Sequence, residues 1–304
     1  MTTFNDTFIH ITDLHFWEIV RNPAMLWNKR FLGNINVIYR RRHEFHMEMA
    51  LPYGEHLAAL GIKDLVIGGD FTSTATPNEF RRGRAFTDSL ADAGFNVHLL
   101  PGNHDVYTFE FLGTQRFKQH LGTYIPTGGY PGLQTLPGGT PLILVPTVCP
   151  NWISSAGRIS DAEIDATRTL IESAPEGPIV VAGHYPILHE TKGYKSARSR
   201  QLRNAEAFRA MLGVTGRQIL YVAGHVHRFS YTQDDRYPNL QHLTTGAFFL
   251  QRRGSACRGA FSIVRIGESG FEVEWHEHYD SWKGNRAALD TAHDAHPDAV
   301  VNTP

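Results

Sequence analysis

Apolar residues come in short runs along this chain, and most runs stop on glycine or a polar cluster. Phe8-Ile-His-Ile-Thr12 leads into Asp13-Leu-His15, and Asp64-Leu-Val-Ile67 into Gly68-Gly-Asp70. Asn96-Val-His-Leu-Leu100 precedes Pro101-Gly-Asn-His-Asp105, Pro178-Ile-Val-Val-Ala182 precedes Gly183-His184, and Gln218-Ile-Leu-Tyr-Val-Ala223 precedes Gly224-His-Val-His227. Runs of this length, bounded by turn residues, predict strands. The stretches between them predict helices at about 43–60, 79–93, 109–120, 161–173 and 203–212. The fourth opens on a capping box, Ser160 with Glu163 three residues on, and Gly94 and Gly213 sit where the second and last should stop.

Strand–helix alternation argues for an α/β fold. Ala247–Leu250, Ala260–Ile266 and Phe271–His276 predict consecutive antiparallel strands. A mixed sheet, or two sheets packed together, is therefore expected rather than a purely parallel one. No internal repeat or linker composition divides the body, so residues 1–281 read as one domain. From about Trp282 the chain turns Ala/Asp/His/Pro-rich, and 282–304 is expected to be a mobile tail.

Composition narrows the class. Of 304 residues 41% are hydrophobic and 19% charged, enough apolar material for a core and too little charge for a disordered chain. The net charge is −1, so no global basic field draws the protein onto a nucleic-acid polymer. The two cysteines, Cys149 and Cys257, are in neither CxxC nor zinc-finger spacing. No secretory signal pattern and no bilayer-length apolar run is visible, so an intracellular, cytoplasmic protein is expected. The unusual figure is 17 histidines.

Five of the predicted strand ends stop on metal-ligand residue types: Asp13-x-His15, Asp70, Asn103-His104-Asp105, His184 and His225-x-His227. In open α/β sheets these ends form the edge where ligands bind. Oxygen donors mixed with imidazole, and no thiolate, suit Mn, Fe or Zn. The donors outnumber what one transition ion takes, so two divalent ions sharing a bridging carboxylate are implied.

The blocks Asp13-Leu-His15, Gly69-Asp70, Gly102-Asn-His-Asp105, Gly183-His184 and Gly224-His-Val-His227 resemble, in order, those of the calcineurin-like metallophosphoesterase superfamily. The resemblance spans about residues 8–227. It implies two mixed β-sheets packed as a sandwich flanked by helices. It also implies that Asp13, His15 and His227 hold one metal, that Asn103, His184 and His225 hold the other, and that Asp70 bridges them. His104 resembles the histidine that faces the scissile phosphate, and Asp105 the carboxylate that orients it. Paired cations neutralise a phosphoryl group and align a water for in-line attack.

At this chain length the blocks look most like the bacterial cyclic-nucleotide phosphodiesterase-like group, so a phosphodiesterase is the first expectation for the phosphate-ester substrate. One feature departs from the common pattern: the gap from His15 to Asp70 is stretched by an inserted segment, about 18–46. Its Lys29-Arg-Phe-Leu-Gly-Asn-Ile-Asn36 run also resembles enzymes that hydrolyse the pyrophosphate of a UDP-linked diacylated glucosamine. Within it, residues 28–42 flank an apolar centre (Phe31, Leu32, Ile35, Val37, Ile38, Tyr39) with Lys29, Arg30 and Arg40–Arg42. That pattern suits a peripheral contact with acyl chains and headgroups at the inner face of a membrane. It suits equally a buried element whose arginines reach water.

After His184 comes a basic loop whose Lys192, Lys195 and Arg198, with His189, could grip an anionic substrate or simply be solvated. His10 and His98 lie within strands and read as packing residues, and His293 and His296 as parts of a solvated tail. Gly-x-Ser-x-Gly, GxxxxGK[ST] and GxGxxG are all absent. Some proteins on such folds are binding scaffolds that have lost catalysis. That normally costs ligands, and none is missing here.

Overall fold

The computed structural model describes residues 4–22, 30–106, 112–150, 154–194, 200–268 and 270–291. Its strands are β1 (Phe4–Ile11), β2 (Asp64–Ile67), β3 (Asn96–Leu99), β4 (Gly132–Thr135), β5 (Pro141–Leu144), β6 (Gly157–Arg158), β7 (Ile179–Ala182), β8 (Leu202–Arg203) and β9 (Ile219–Ala223). β10 (Ser230–Gln233), β11 (Leu240–Thr244), β12 (Ala260–Gly267), β13 (Gly270–His278), β14 (Trp282–Arg286) and β15 (Asp290–Thr291) follow. The helices are α1 (Arg30–Asn36), α2 (Arg42–Glu44), α3 (Ala50–Ala59), α4 (Pro77–Asp92), α5 (Leu112–Leu121), α6 (Asp161–Ser173) and α7 (Ala205–Val214).

The strands form two mixed sheets, ordered β14-β13-β12-β1-β2-β3 and β15-β10-β11-β9-β7-β5-β4, with β6 and β8 as a separate pair. In the first sheet β1, β2 and β3 run parallel, and β12 lies antiparallel to β1. In the second, β5, β7, β9 and β11 run parallel.

Strand side chains alternate between two kinds of core, which explains why the runs are apolar without interruption. Phe8, Val66, Leu142, Leu144, Val180, Leu220, Val222 and Val264 pack between the sheets. Their neighbours Ile9, Ile11, Leu65 and Ile67 turn outward under Tyr53 and Leu57 of α3, and Phe80 and Phe86 of α4. On the other side Ile143, Ile179, Val181 and Ile219 meet Ile164 of α6 and Phe208 of α7. The result is a β-sandwich flanked by helices, as expected.

Several boundaries differ from the sequence reading. Ala247–Leu250 is no strand: it turns, and only Leu250 pairs, in a bridge with Phe45. The true neighbour strand, β11, carries Gln241 and His242 among its apolar residues, which hides it from a search for apolar runs. Trp282–Arg286 is an edge strand on β13 instead of a mobile tail, because Trp282 packs its ring against Tyr53, His56 and Phe261. The expected helix over 43–60 is broken at Phe45, whose extended backbone (φ −105°, ψ 105°) lets it join that bridge. Gly213 does not stop α7. A Cβ there would meet the Tyr237 ring at 2.1 Å, so glycine is needed for packing.

The capping box at Ser160 forms as expected, and a second, Thr76 with Glu79, opens α4. His293 and His296 lie outside the described residues.

Candidate metal centre

The loops after β1, β2 and β3 stack side by side. Asp13 N donates to Gly69 O (3.0 Å), and His15 N to Asp70 O (2.8 Å). The third loop approaches so closely that a Cβ on Gly102 would lie 2.1 Å from Asp70 N, so only glycine fits. From the second sheet, Thr147 Oγ1 accepts from His184 N (2.9 Å), fixing the loop after β7. Asp13 Oδ2 accepts from His225 N (2.9 Å), which ties the loop after β9 to the loop after β1. Asp13, His15, Asp70, His225 and His227 all have positive φ, between 49° and 67°. Left-handed backbone is uncommon for such residues, and it gathers where side chains must be aimed at a common point.

The side chains converge accordingly. Asp13, His15 and His227 bring ligand atoms within 4.8 Å of one another, as do Asp13, Asp70 and His184, and His15, Asp70 and His104. Asp70 Oδ2 lies 3.6 Å from His15 Nε2 and 3.5 Å from His184 Nε2, between the two halves. Asn103 Oδ1 lies 3.1 Å from His184 Nε2 and 3.0 Å from His225 Nδ1. All seven residues expected as ligands are thus brought together.

These donors fit metal ions on two observations. First, His184 Nδ1 and His225 Nε2 each face a backbone carbonyl, Gly68 O (2.8 Å) and Arg200 O (3.1 Å). A carbonyl only accepts, so that nitrogen carries the proton and the other turns its lone pair into the centre. Two acceptors then face one another, His225 Nδ1 opposite Asn103 Oδ1 at 3.0 Å, an arrangement that a cation resolves. Second, Asp13 Oδ1 is buried and lacks a well-aligned hydrogen bond among the described residues, although His227 Nε2 comes within 3.2 Å of it.

Charge states divide the three imidazoles. Burial, reinforced by Arg41, holds His15 well below its ordinary value, and burial and His184 hold His225 down at about 3. Burial works against charge on His184 too, but the Asp70 and Asp13 carboxylates prevail and lift it to about 9. At this ligand a metal must displace a proton.

His104 Nδ1 donates to Ser73 O (2.7 Å), leaving Nε2 toward the centre, and its backbone N–H donates to Asp70 Oδ1 (2.7 Å). The sequence reading gave Asp105 the task of orienting His104. Its carboxylate instead accepts from Gly102 N (2.8 Å), Phe71 N (3.2 Å), Thr72 N (2.9 Å) and Thr72 Oγ1 (2.9 Å), lacing the second and third loops together. The imidazole is oriented by the Ser73 carbonyl.

Among the residues expected to bind substrate, Lys192 borders a cavity of about 380 Å³ that opens beside His227 and is lined also by Arg228, Arg252 and Trp275. His189 is exposed and stacks on Tyr194, one ring removed from His225. Lys195 and Arg198 lie outside the described residues. His10 is buried, with Nδ1 2.7 Å from Thr245 Oγ1, and His98 lies 3.4 Å from Asp64. Sequence reasoning missed Arg41. It appeared as one of three consecutive arginines assigned to the surface, yet it is buried, with Nη1 2.9 Å from His15 Nδ1 and Nη2 2.9 Å from His104 Nε2.

A two-sheet sandwich whose strand-end loops gather carboxylates, an amide and imidazoles around one point has the architecture of a metal-dependent hydrolase. The chain belongs to the calcineurin-like phosphoesterase family, whose model matches residues 7–229. Among solved structures, a dimetal phosphatase from Danio rerio aligns with a TM-score of 0.59 at 14% identity, over 94% of this chain and 100% of its own. A purple acid phosphatase from yellow lupin (Lupinus luteus) seeds aligns at 0.58 and 10% identity, over 95% of this chain and 55% of its own. A 5'-nucleotidase from Candida albicans SC5314 gives 0.50 and 14%, over 90% and 51%. At these identities the likeness is one of fold. A comparison with curated proteins finds no match.

Proposed function

We propose that the protein is a phosphodiesterase that hydrolyses its substrate by direct attack of water at a centre of two divalent transition-metal ions. The observation that supports this best is the pair of donor groups meeting at Asp70: Asp13, His15 and His227 on one side, Asn103, His184 and His225 on the other. When bound, the ions would neutralise phosphoryl charge and lower the pKa of a water. His104, its ring fixed by Ser73 O, faces the same space through Nε2. Nε2 now accepts from Arg41 Nη2 (2.9 Å); protonated in place of that bond, it would donate to the developing charge on a leaving oxygen. The test is a panel with Mn added: bis-aryl phosphodiester, aryl monoester, cyclic nucleotides and a UDP-diacylglucosamine. Turnover of the diesters above the monoester is expected, and turnover of none would end the reading.

A second reading has an observation of its own. Phe31, Leu32, Ile35 and Tyr39 of the inserted segment are exposed, by 52%, 65%, 39% and 79%, and the segment's other face meets the centre through Arg41. An apolar surface beside a phosphoester site suits a lipid-linked pyrophosphate taken at the cytoplasmic face of a membrane. Among the described residues, no helix is long and apolar enough to cross a membrane. Preference for the UDP-diacylglucosamine in the same panel would select this reading over the first.

A further inference from the structure

The inserted segment brings into the centre a charged side chain that lies in none of the five sequence blocks. α1 passes into a π-helical turn, Val37–Arg41, and then into α2. Wider π turns recur at functional sites because they rotate the side chains that follow. Here the rotation leaves Arg40 and Arg42 exposed and Arg41 buried. Its guanidinium lies between two imidazoles, with Nη1 at His15 Nδ1 and Nη2 at His104 Nε2, both 2.9 Å, and 5.9 Å from the centre of the Phe45 ring.

The chain just beyond is pinned to the domain. Phe45 N donates to Arg41 O (2.8 Å), Trp17 Nε1 to Phe45 O (3.0 Å), His46 N to Phe249 O (2.9 Å) and Gln251 N to Glu44 O (2.7 Å). The guanidinium is therefore placed by the fold, and little freedom remains to be lost on binding.

We propose that Arg41 binds the substrate's phosphoryl group, its two terminal N–H groups donating to non-bridging oxygens while His104 faces the same group. The inference rests on the phosphoester-hydrolase reading and extends it by one residue. A planar fork matches two phosphoryl oxygens at once, which the point charge of a lysine cannot do. The acceptors that its two terminal nitrogens meet at 2.9 Å are imidazole nitrogens, and an anionic oxygen is a stronger acceptor for a guanidinium than either. Substrate or product phosphate would move the guanidinium only as far as the space that His104 Nε2 faces. A structural role is the rival: Arg41 would then hold His15 and the inserted segment in place and touch no ligand.

The experiment uses the full-length, Mn-loaded chain with inorganic phosphate as the probe, comparing the parent with Arg41→Lys, Arg41→Gln and Arg40→Gln. Calorimetry gives the phosphate Kd, elemental analysis the metal content, and steady-state kinetics kcat and KM separately. Both Arg41 variants should keep their metal while phosphate binding weakens about ten- to a hundredfold, the range for losing a hydrogen bond to a charged group. Arg40→Gln should match the parent. Arg41→Lys keeps the positive charge, so it stands if Arg41→Gln fails to fold. Unchanged phosphate affinity in the variants, or a loss only in proportion to lost metal, would overturn the proposal and leave a structural arginine. A metal-loaded parent that neither binds phosphate nor turns over any ester would remove the functional reading and this inference with it. Turnover in the parent with normal phosphate binding by the variants would remove the inference alone.

Discussion

His104 has one ring nitrogen occupied by Ser73 O and the other turned to the centre, so its proposed role can be separated from metal binding. His104→Ala should keep its metals and lose on the order of 10²–10³ in kcat, the usual cost of one electrostatic donor. If the imidazole protonates a leaving oxygen, the loss should shrink as the leaving group improves, so a series of aryl esters is the measurement. An unchanged kcat on a poor leaving group would take His104 out of the mechanism. Asp70→Ala and Asn103→Ala should instead bind fewer than two ions per chain, because Asp70 Oδ2 lies between His15 and His184 and Asn103 Oδ1 between His184 and His225. Full occupancy in both would sink the site assignment. The residues of this centre were legible because each follows an apolar run and a tight turn, and chemistry restricts metal ligands to few residue types. Two features were not legible. Asp105 has the right type and position to orient His104, but its bonds go to the backbone of the second and third loops and to the Thr72 hydroxyl. Arg41 differs from Arg40 and Arg42 only in the direction a π turn gives it, and nothing in three successive arginines encodes that.

Strands buried on both faces announce themselves as continuous apolar runs, which is why β2, β7 and β9 could be placed from the sequence. β10, β11 and β14 could not, since polar residues run through them, although β10 pairs with β11 and β14 with β13 across short connections. One polar network shows how such elements are held. Arg209 of α7 donates to both oxygens of Asp234 (2.7 and 2.8 Å), in the turn between β10 and β11, and His242 Nε2 lies 2.7 Å from the same carboxylate. Burial opposes the charge on Asp234, but His242 and Arg209 outweigh it and hold the carboxyl well below its ordinary value of 3.8. A depressed folded-state pKa contributes stability above the unfolded value, and that stability is lost as pH falls through the folded one. Asp235 and Glu206 also pair with Arg209, so Asp234→Asn should cost about 1.5–3 kcal/mol at neutral pH, the range for a hydrogen bond to a charged group, with the difference from the parent narrowing in acid below about pH 4. Urea unfolding of both proteins across that range is the check. A constant difference at every pH would assign the loss to packing.

At the scale of the whole molecule the centre is a joint between the two sheets. Asp13, Asp70 and Asn103 come from loops of the first, and His184, His225 and His227 from loops of the second. The inserted segment lies over this joint with two unlike faces. Arg30 and Arg41 turn inward, Arg30 Nε donating to Thr74 O at 3.1 Å, so two of the cations expected to meet a membrane are used inside the protein. Arg40 and Arg42 stay outside with Phe31, Leu32, Ile35 and Tyr39. If that outer face rests on lipid, its apolar residues do the holding, and the two arginines add about 1 kcal/mol each near an anionic surface. Replacing Phe31, Leu32 and Tyr39 together by Ser should then abolish sedimentation with phosphatidylglycerol vesicles. Replacing Arg40 and Arg42 by Gln should weaken it modestly and make what remains less sensitive to salt. Each exposed position should move folding stability by no more than about 0.5 kcal/mol, so lost binding could not be put down to unfolding. The triple variant should also turn over an acylated substrate more slowly while a small soluble diester is unaffected. Equal vesicle binding by parent and triple variant would leave the outer face without a lipid role, and equal loss on both substrates would show that the substitutions had reached Arg41 and the centre beneath it.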